Sequence, residues 1–315
     1  MGHTAAPRAG LMSKLVPGLI VANYGRHFLV EDTSGQRRIC HSRGKKSLGV
    51  VGDRVQWLPS QDEGTIEVIE PRRNLLYRQD EVRTKSFAAN LDQVLILIAA
   101  EPEFSASQLS RALIAAEEQH ITPLIALNKR DLTEPFARAW ERLQPYRDMG
   151  YDVLSLALTH GSPAEDQALE QRLLGQTTLV LGPSGAGKST LINRLIPAAL
   201  AQTGTLSQAL NAGKHTTTST TWYWVDAAHT TALLDSPGFQ EFGLTHIDPA
   251  QLAAYMPDLK PHVAYCKFYN CSHLHEPGCG VIAAVKAAAG ADGISANRYQ
   301  IYSDLYAQLT QTKRY

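Results

Sequence analysis

Thr177–Leu181 is a short apolar run suited to a strand, and Thr190–Leu195 has the spacing of a helix. Between them Gly182, Gly187, Lys188 and Ser189 fill the pattern G-x-x-x-x-G-K-[ST]. A strand, a glycine loop and a helix in this order admit few folds. The glycines let the backbone wrap phosphates with its N–H groups, and the helix N-terminus adds partial positive charge. The expected cradle is therefore Gly182, Pro183, Ser184, Gly185, Ala186, Gly187, Lys188, Ser189 and Thr190. Lys188 would reach the β- and γ-phosphates, and the Ser189 hydroxyl would ligate Mg²⁺. This predicts a nucleoside triphosphate site without choosing the base.

The base is chosen elsewhere. Leu124–Leu132 reads LIALNKRDL, in which a buried strand delivers Asn128, Lys129 and Asp131 to its carboxyl edge, where ligands bind in parallel sheets. An N-K-x-D arrangement reads guanine, because the Asp carboxylate accepts from a ring N–H and an exocyclic amino group that adenine does not offer together. Leu233–Phe239 reads LLDSPGF, so Asp235 and Gly238 fill D-x-x-G at a strand end. Asp235 would help hold Mg²⁺, and the Gly238 N–H would meet the γ-phosphate. Between the phosphate loop and D-x-x-G lies Gly213-Lys214-His215-Thr216-Thr217-Thr218, whose threonines are placed to close on the metal.

The order of these parts is inverted relative to an ordinary GTPase. Asn128 comes 54 positions before Gly182, so the chain must be circularly permuted. One consequence is that D-x-x-G runs directly toward the C-terminal segment, with 27 residues between Gly238 and Cys266. Around these motifs, apolar strands alternate with helices (Gln93–Ala99, Ser107–Glu118, Pro123–Leu127, Glu134–Leu143, Asp152–Leu156), as in an α/β sheet of mostly parallel strands.

The flanking regions read differently. Leu19–Val21, His27–Val30, Arg38–Cys40, Arg54–Trp57 and Thr65–Ile69 are β-rich and separated by glycine turns. Five short strands suit an OB-type β-barrel, although the pattern also fits an SH3-like barrel. The whole chain has a formal net charge of zero, which argues against a strongly basic nucleic-acid binder. That sum hides opposed parts. Residues 1–85 hold 14 Lys and Arg against nine Asp and Glu, residues 86–170 hold six against 13, and residues 171–315 hold ten against eight. The N-terminal stretch offers no apolar core for a signal peptide, and no apolar run approaches membrane-spanning length, so a soluble, cytoplasmic protein is expected.

Three of the four cysteines cluster near the C-terminus. Cys266-x4-Cys271-x-His273-x5-Cys279 offers three thiolates and an imidazole, a closed set suited to structural zinc, with His275 fitting the spacing as well. Cys40 stands apart as a buried barrel residue.

The stretches Asn90–Ala99, Asn128–Leu132, Gly182–Asn193, Gly213–Thr218, Asp235–Leu244 and Cys266–Val281 together resemble the circularly permuted, small-ribosomal-subunit-dependent biogenesis GTPases of the RsgA type. The resemblance implies a multidomain chain: an OB-fold RNA-binding domain over 1–72, a circularly permuted GTPase domain over 73–242 and a small α-helical zinc-binding domain over 243–315. It implies His273 rather than His275 as the fourth zinc ligand. It places a guanine contact in the loop after the third strand, assigned here to Ser155. It also implies the small (30S) ribosomal subunit with its 16S rRNA as partner and activator, GTP and GDP as ligands, and hydrolysis coupled to release late in 30S maturation. The basic N-terminal region then has rRNA phosphates to meet. Nothing demands more than a monomer.

Phe239 follows D-x-x-G where many GTPases place a water-orienting Gln, so intrinsic hydrolysis is expected to be slow. His215 is the candidate to supply polar help, with Lys188 and Thr217 in the catalytic set. Two other classes compete. A P-loop ATPase or kinase is opposed by Asn128, Lys129 and Asp131, and a nucleic-acid-binding module with a merely regulatory nucleotide site predicts turnover indifferent to ribosomal subunits.

Overall fold

The fold is that of a computed structural model, which describes residues 15–44, 49–80, 82–197, 220–237, 242–287 and 293–312. Five N-terminal strands, β1 (Val16–Tyr24), β2 (His27–Asp32), β3 (Arg37–Ser42), β4 (Arg54–Pro59) and β5 (Gly64–Ile69), form the first unit. They pair in the order β1-β2-β3-β5-β4, and β4 returns to β1, so the sheet closes. The β3–β5 pair is parallel and the others antiparallel, which is the OB topology. Phe28, Cys40, Val55 and Trp57 fill the interior. A Cβ on Gly64 would meet the Trp57 ring at 2.5 Å and the Cys40 sulfur at 2.7 Å, so glycine is required where the barrel wall passes over its core.

The second unit is a parallel sheet built from β8 (Gln93–Ala99), β9 (Thr122–Asn128), β10 (Asp152–Ser155), β11 (Thr177–Leu181) and β13 (Ala232–Asp235). Their order is β10-β9-β8-β11-β13, with β12 (Thr221–Trp224) antiparallel at the β13 edge. Every residue of β8 is buried, as a strand covered on both faces requires. The helices α1 (Ala106–Glu118), α2 (Thr133–Arg142), α3 (Gln144–Asp148), α4 (Pro163–Leu173) and α5 (Lys188–Leu195) connect these strands. Strand β11 lies between β8 and β13, so the two motif-bearing halves meet at the centre of one sheet despite their inverted order.

Two features were not legible beforehand. The barrel sheet and the parallel sheet are continuous, because Ala22 of β1 pairs with Thr221 of β12. Glu31, almost fully buried, ties this junction by accepting from Trp224 Nε1 at 2.6 Å and Arg37 Nε at 2.7 Å. Between the two units, β6 (Leu75–Gln79) and β7 (Thr84–Ala89) form a separate hairpin. The chain leaving D-x-x-G is laid along this hairpin: Gln79 N donates to Gly243 O at 3.0 Å, and Thr245 N donates to Gln79 O at 3.0 Å.

The C-terminal part is helical, with a 3-10 segment (Pro249–Tyr255), α6 (Lys260–Val263), α7 (Gly280–Lys286) and α8 (Ala296–Thr312). Leu252, Met256, Leu259, Tyr302 and Leu305 join it to the main core. Arg298, only 4% exposed, makes a bidentate pair with Asp258 (2.7 and 3.0 Å) and reaches Ser110 Oγ of α1 at 2.5 Å. Among the described residues, no helix is long and apolar enough to cross a membrane.

Candidate functional site

The phosphate loop leaves β11 at its carboxyl end and turns into α5. Gly185 and Gly187 have φ of 80° and 107°, left-handed values that a side chain rarely adopts. A Cβ on Gly182 would lie 2.1 Å from Leu97 O, so the loop starts hard against the end of β8. Lys188 Nζ donates to Gly182 O at 2.7 Å and Pro183 O at 3.0 Å, folding the ammonium back over the loop. Ser184, Gly185, Ser189 and Thr190 are exposed, while Ala186 is buried beneath the loop.

Asn128 lies at the end of β9 and is buried. Its Nδ2 donates to Ala186 O at 2.9 Å, and its Oδ1 accepts from Leu158 N at 3.1 Å. One amide therefore fastens the phosphate loop to the segment after β10. A Cβ on Gly187 would sit 2.5 Å from this same amide nitrogen, so the glycine serves the join as well as the turn. Lys129 takes φ of 69° and donates from Nζ to Glu101 O. Asp131 is exposed beside it, free to meet a ligand. Ser155 is half-buried inside β10, paired with Leu127 in register. The backbone that meets Asn128 comes three residues later, at Leu158, a position no side-chain motif marks.

Asp235 ends β13, and Ser236 Oγ donates to Val180 O at 2.6 Å, locking this strand end to β11. Burial pushes the Asp235 carboxyl up to about 6, against the opposing pull of Lys188. Burial likewise lowers the Lys188 ammonium, against Asp235. Among the described residues each acts on the other as a compensating charge. Ser189 and Asp235 offer the hard oxygens that magnesium prefers. His215, Thr216, Thr217, Thr218 and Gly238 lie outside the described residues.

The second cluster is local. The ligand atoms of Cys266, Cys271, His273 and Cys279 all lie within 4.8 Å of one another. Cys266 and Cys279 sulfurs are 3.8 Å apart, and His273 Nδ1 is 3.4 and 3.5 Å from them. A tetrahedral cation with sulfur bonds of about 2.3 Å sets sulfurs roughly 3.8 Å apart, so the cluster fits such an ion. His275 is exposed, with its backbone N–H on Glu276. Burial alone would raise Glu276, but the Ser272 hydroxyl and N–H bring its carboxyl down to about 2. The missed elements here are Tyr299 and Tyr302 of α8. Their hydroxyls donate at 2.8 Å to His273 O and Ser272 O. Their i, i+3 spacing on one helix face was the available signal.

A closed five-stranded barrel, a permuted P-loop sheet with its base-reading strand, and a Cys3His-bearing helical module define a circularly permuted GTPase with accessory domains. The RsgA GTPase family model matches residues 69–245. A small ribosomal subunit biogenesis GTPase RsgA of Variovorax paradoxus is 65% identical over 313 residues, covering 99% of this chain and 98% of the relative. Its counterpart in Paraburkholderia xenovorans is 48% identical, covering 98% of each. Among solved structures, YjeQ from Thermotoga maritima superposes with a TM-score of 0.71 at 28% identity, covering 94% of this chain and 99% of that one. YloQ, described as a circularly permuted GTPase, gives 0.69 at 26% identity over 97% and 98%. The chain belongs to the RsgA GTPase family and is a GTP hydrolase.

Proposed function

We propose that this GTPase docks on the small (30S) ribosomal subunit late in its maturation, hydrolyses GTP slowly alone and faster on the subunit, and leaves after hydrolysis. The names carried by its relatives support the partner. The observation that carries the nucleotide chemistry is the Asn128 amide joining the phosphate loop to the segment after β10. It brings a guanine-reading strand and a phosphate loop to one edge. In this reading Asp131 and Lys129 hold the guanine, with Ser155 and the backbone up to Leu158 on its far side. Gly182–Thr190 hold the phosphates, with Lys188 on the β- and γ-oxygens. Ser189 and Asp235 would hold Mg²⁺, which when bound neutralises charge between those phosphates. Thr216, Thr217, Thr218 and Gly238 close on the γ-phosphate side, and His215 orients the attacking water in place of the missing Gln.

Cys266, Cys271, His273 and Cys279 would hold one structural Zn²⁺, whose binding energy becomes folding energy of the C-terminal module. The three-part division at 1–72, 73–242 and 243–315 allots rRNA phosphates to the barrel and docking to the zinc module. A cytoplasmic monomer suits this work.

The test is the GTPase rate with and without purified small subunits. Stimulation of wild type, abolished in His215→Ala, is expected. No stimulation refutes the ribosomal reading, and full stimulation of the variant removes His215 from the mechanism.

A further inference from the structure

Six large apolar side chains stand out as exposed among the described residues, and four of them fall between positions 263 and 269. Tyr269 is 102% exposed, Tyr265 76% and Phe268 41%. Rings so fully in water are unusual for a folded surface and mark an interaction site. The loop presenting them is stiff. Cys266 within it and the residues after it belong to the Cys3His cluster, the Tyr299 and Tyr302 hydroxyls clamp the carbonyls of His273 and Ser272 just beyond it, and Lys267 N donates to Gly278 O at 3.0 Å. A backbone already fixed loses less freedom when a partner arrives.

Charge selects the partner. No Asp or Glu occurs from Leu259 to His275, while Lys260 and Lys267 do. The Lys267 ammonium lies 5.7 Å above the Phe268 ring. Rings interleaved with cations match unpaired nucleotides, whose bases stack on aromatic faces while their backbone meets lysines, and the nearby Glu276 carboxylate is taken up by the Ser272 hydroxyl and N–H. A second copy of this chain would set these lysines against themselves across a two-fold axis. An aliphatic protein pocket would leave the cations without counter-charges.

We infer that Tyr265, Phe268 and Tyr269 form a stacking platform for unpaired RNA bases, with Lys267 on the adjoining phosphates. This rests on the small-subunit reading and sharpens it, by assigning the metal module a single-stranded stretch of RNA and leaving duplex backbone to the barrel.

The experiment uses the full, metal-loaded chain, with single-stranded oligoadenylate and an oligoadenylate–oligouridylate duplex as probes. The double variant Y265A/Y269A is expected to lose about tenfold or more in affinity for the single strand and nothing for the duplex. Y269W should retain the affinity, and its added indole emission should be quenched by the single strand. If the double variant loses its metal, the Y269W quenching decides alone. Unchanged single-strand affinity in Y265A/Y269A, equal losses on both probes, no quenching of Y269W, or a concentration-dependent dimer of wild type that the double variant abolishes would each overturn the platform. If small subunits fail to stimulate wild-type hydrolysis, the ribosomal reading fails whatever the oligonucleotides show. If they stimulate it and the double variant binds oligoadenylate as wild type does, this inference alone fails.

Discussion

The candidate nucleotide site collects its side chains from strand ends between Asn128 and Asp235, while the Cys3His cluster takes its four side chains from the 14 residues Cys266–Cys279. The first is held by a sheet whose central strand is buried throughout. Its key join, the Asn128 amide, uses only protein partners. The second brings three sulfurs and an imidazole within 4.8 Å of one another. Burial pushes the Cys271 thiol up to about 12, so a cation held here would have to draw the thiolate out. A distributed site can be preformed by the fold it sits in. A local cluster instead depends on what it binds and on whatever neighbour lends it support.

The largest expected effect breaks that comparison at the metal. Chelation should unfold the module around residues 260–287 and leave the parallel sheet standing, since apparent zinc binding energies of about 10–16 kcal/mol are typical of such sites. Hydrogen exchange in chelator against metal-loaded protein measures this. Protection of β8 and β11 should persist while α7 loses its protection. Uniform protection with the metal removed would mean the module stands on its own packing.

The next effect asks how much support the module borrows. Arg298 lies on α8 yet reaches Ser110 of the GTPase sheet's first helix. Arg298→Ala leaves Asp258 nearly buried without its cation, and breaking such a pair costs about 3–5 kcal/mol. Calorimetry should show this loss in the metal-loaded protein. A double variant, R298M/D258L, should recover most of it, because well-packed apolar substitutes for a buried pair are often neutral. Equal losses in both would locate the effect in packing rather than charge.

These tests also mark where the chain was readable. The five barrel strands and the β8–β11 core were legible because apolar runs and glycine turns fix them locally. The glycine loop after β11 and the placement of Asn128 at the end of β9 were legible because each motif sits directly after an apolar run. The β6–β7 hairpin was not, since Leu75–Gln79 and Thr84–Ala89 carry mixed polar residues and are stabilised by what crosses them, the 242–245 segment and α1. The β1–β12 pairing was equally hidden, because edge-to-edge pairing uses backbone groups and leaves no side-chain signature. Within the site, Leu158 acts through its N–H, and backbone donors carry no residue type to find.

The smallest effect sharpens the claim that the nucleotide site is preformed. Burial raises the Asp235 carboxyl from an ordinary value of 3.8 to about 6. The sign follows from which form each partner needs. The unfolded chain ionises this group near 3.8, so between that value and 6 the empty fold holds an extra proton, and its stability at this site rises as pH falls toward 5. A magnesium ligand must be ionised, so magnesium-dependent GTP affinity runs the other way. It should be full above about pH 7 and fall at most about tenfold per unit below 6, each unit being about 1.4 kcal/mol. Titrating GTP against wild type and Asp235→Asn across this range, with and without magnesium, isolates the group. The nucleotide's own γ-phosphate titration is common to both proteins and cancels in the comparison. The variant should bind more weakly at pH 7.5 and converge on wild type near pH 5. Parallel curves would mean that Asp235 is already ionised in the empty site, and that Lys188 rather than burial sets its state.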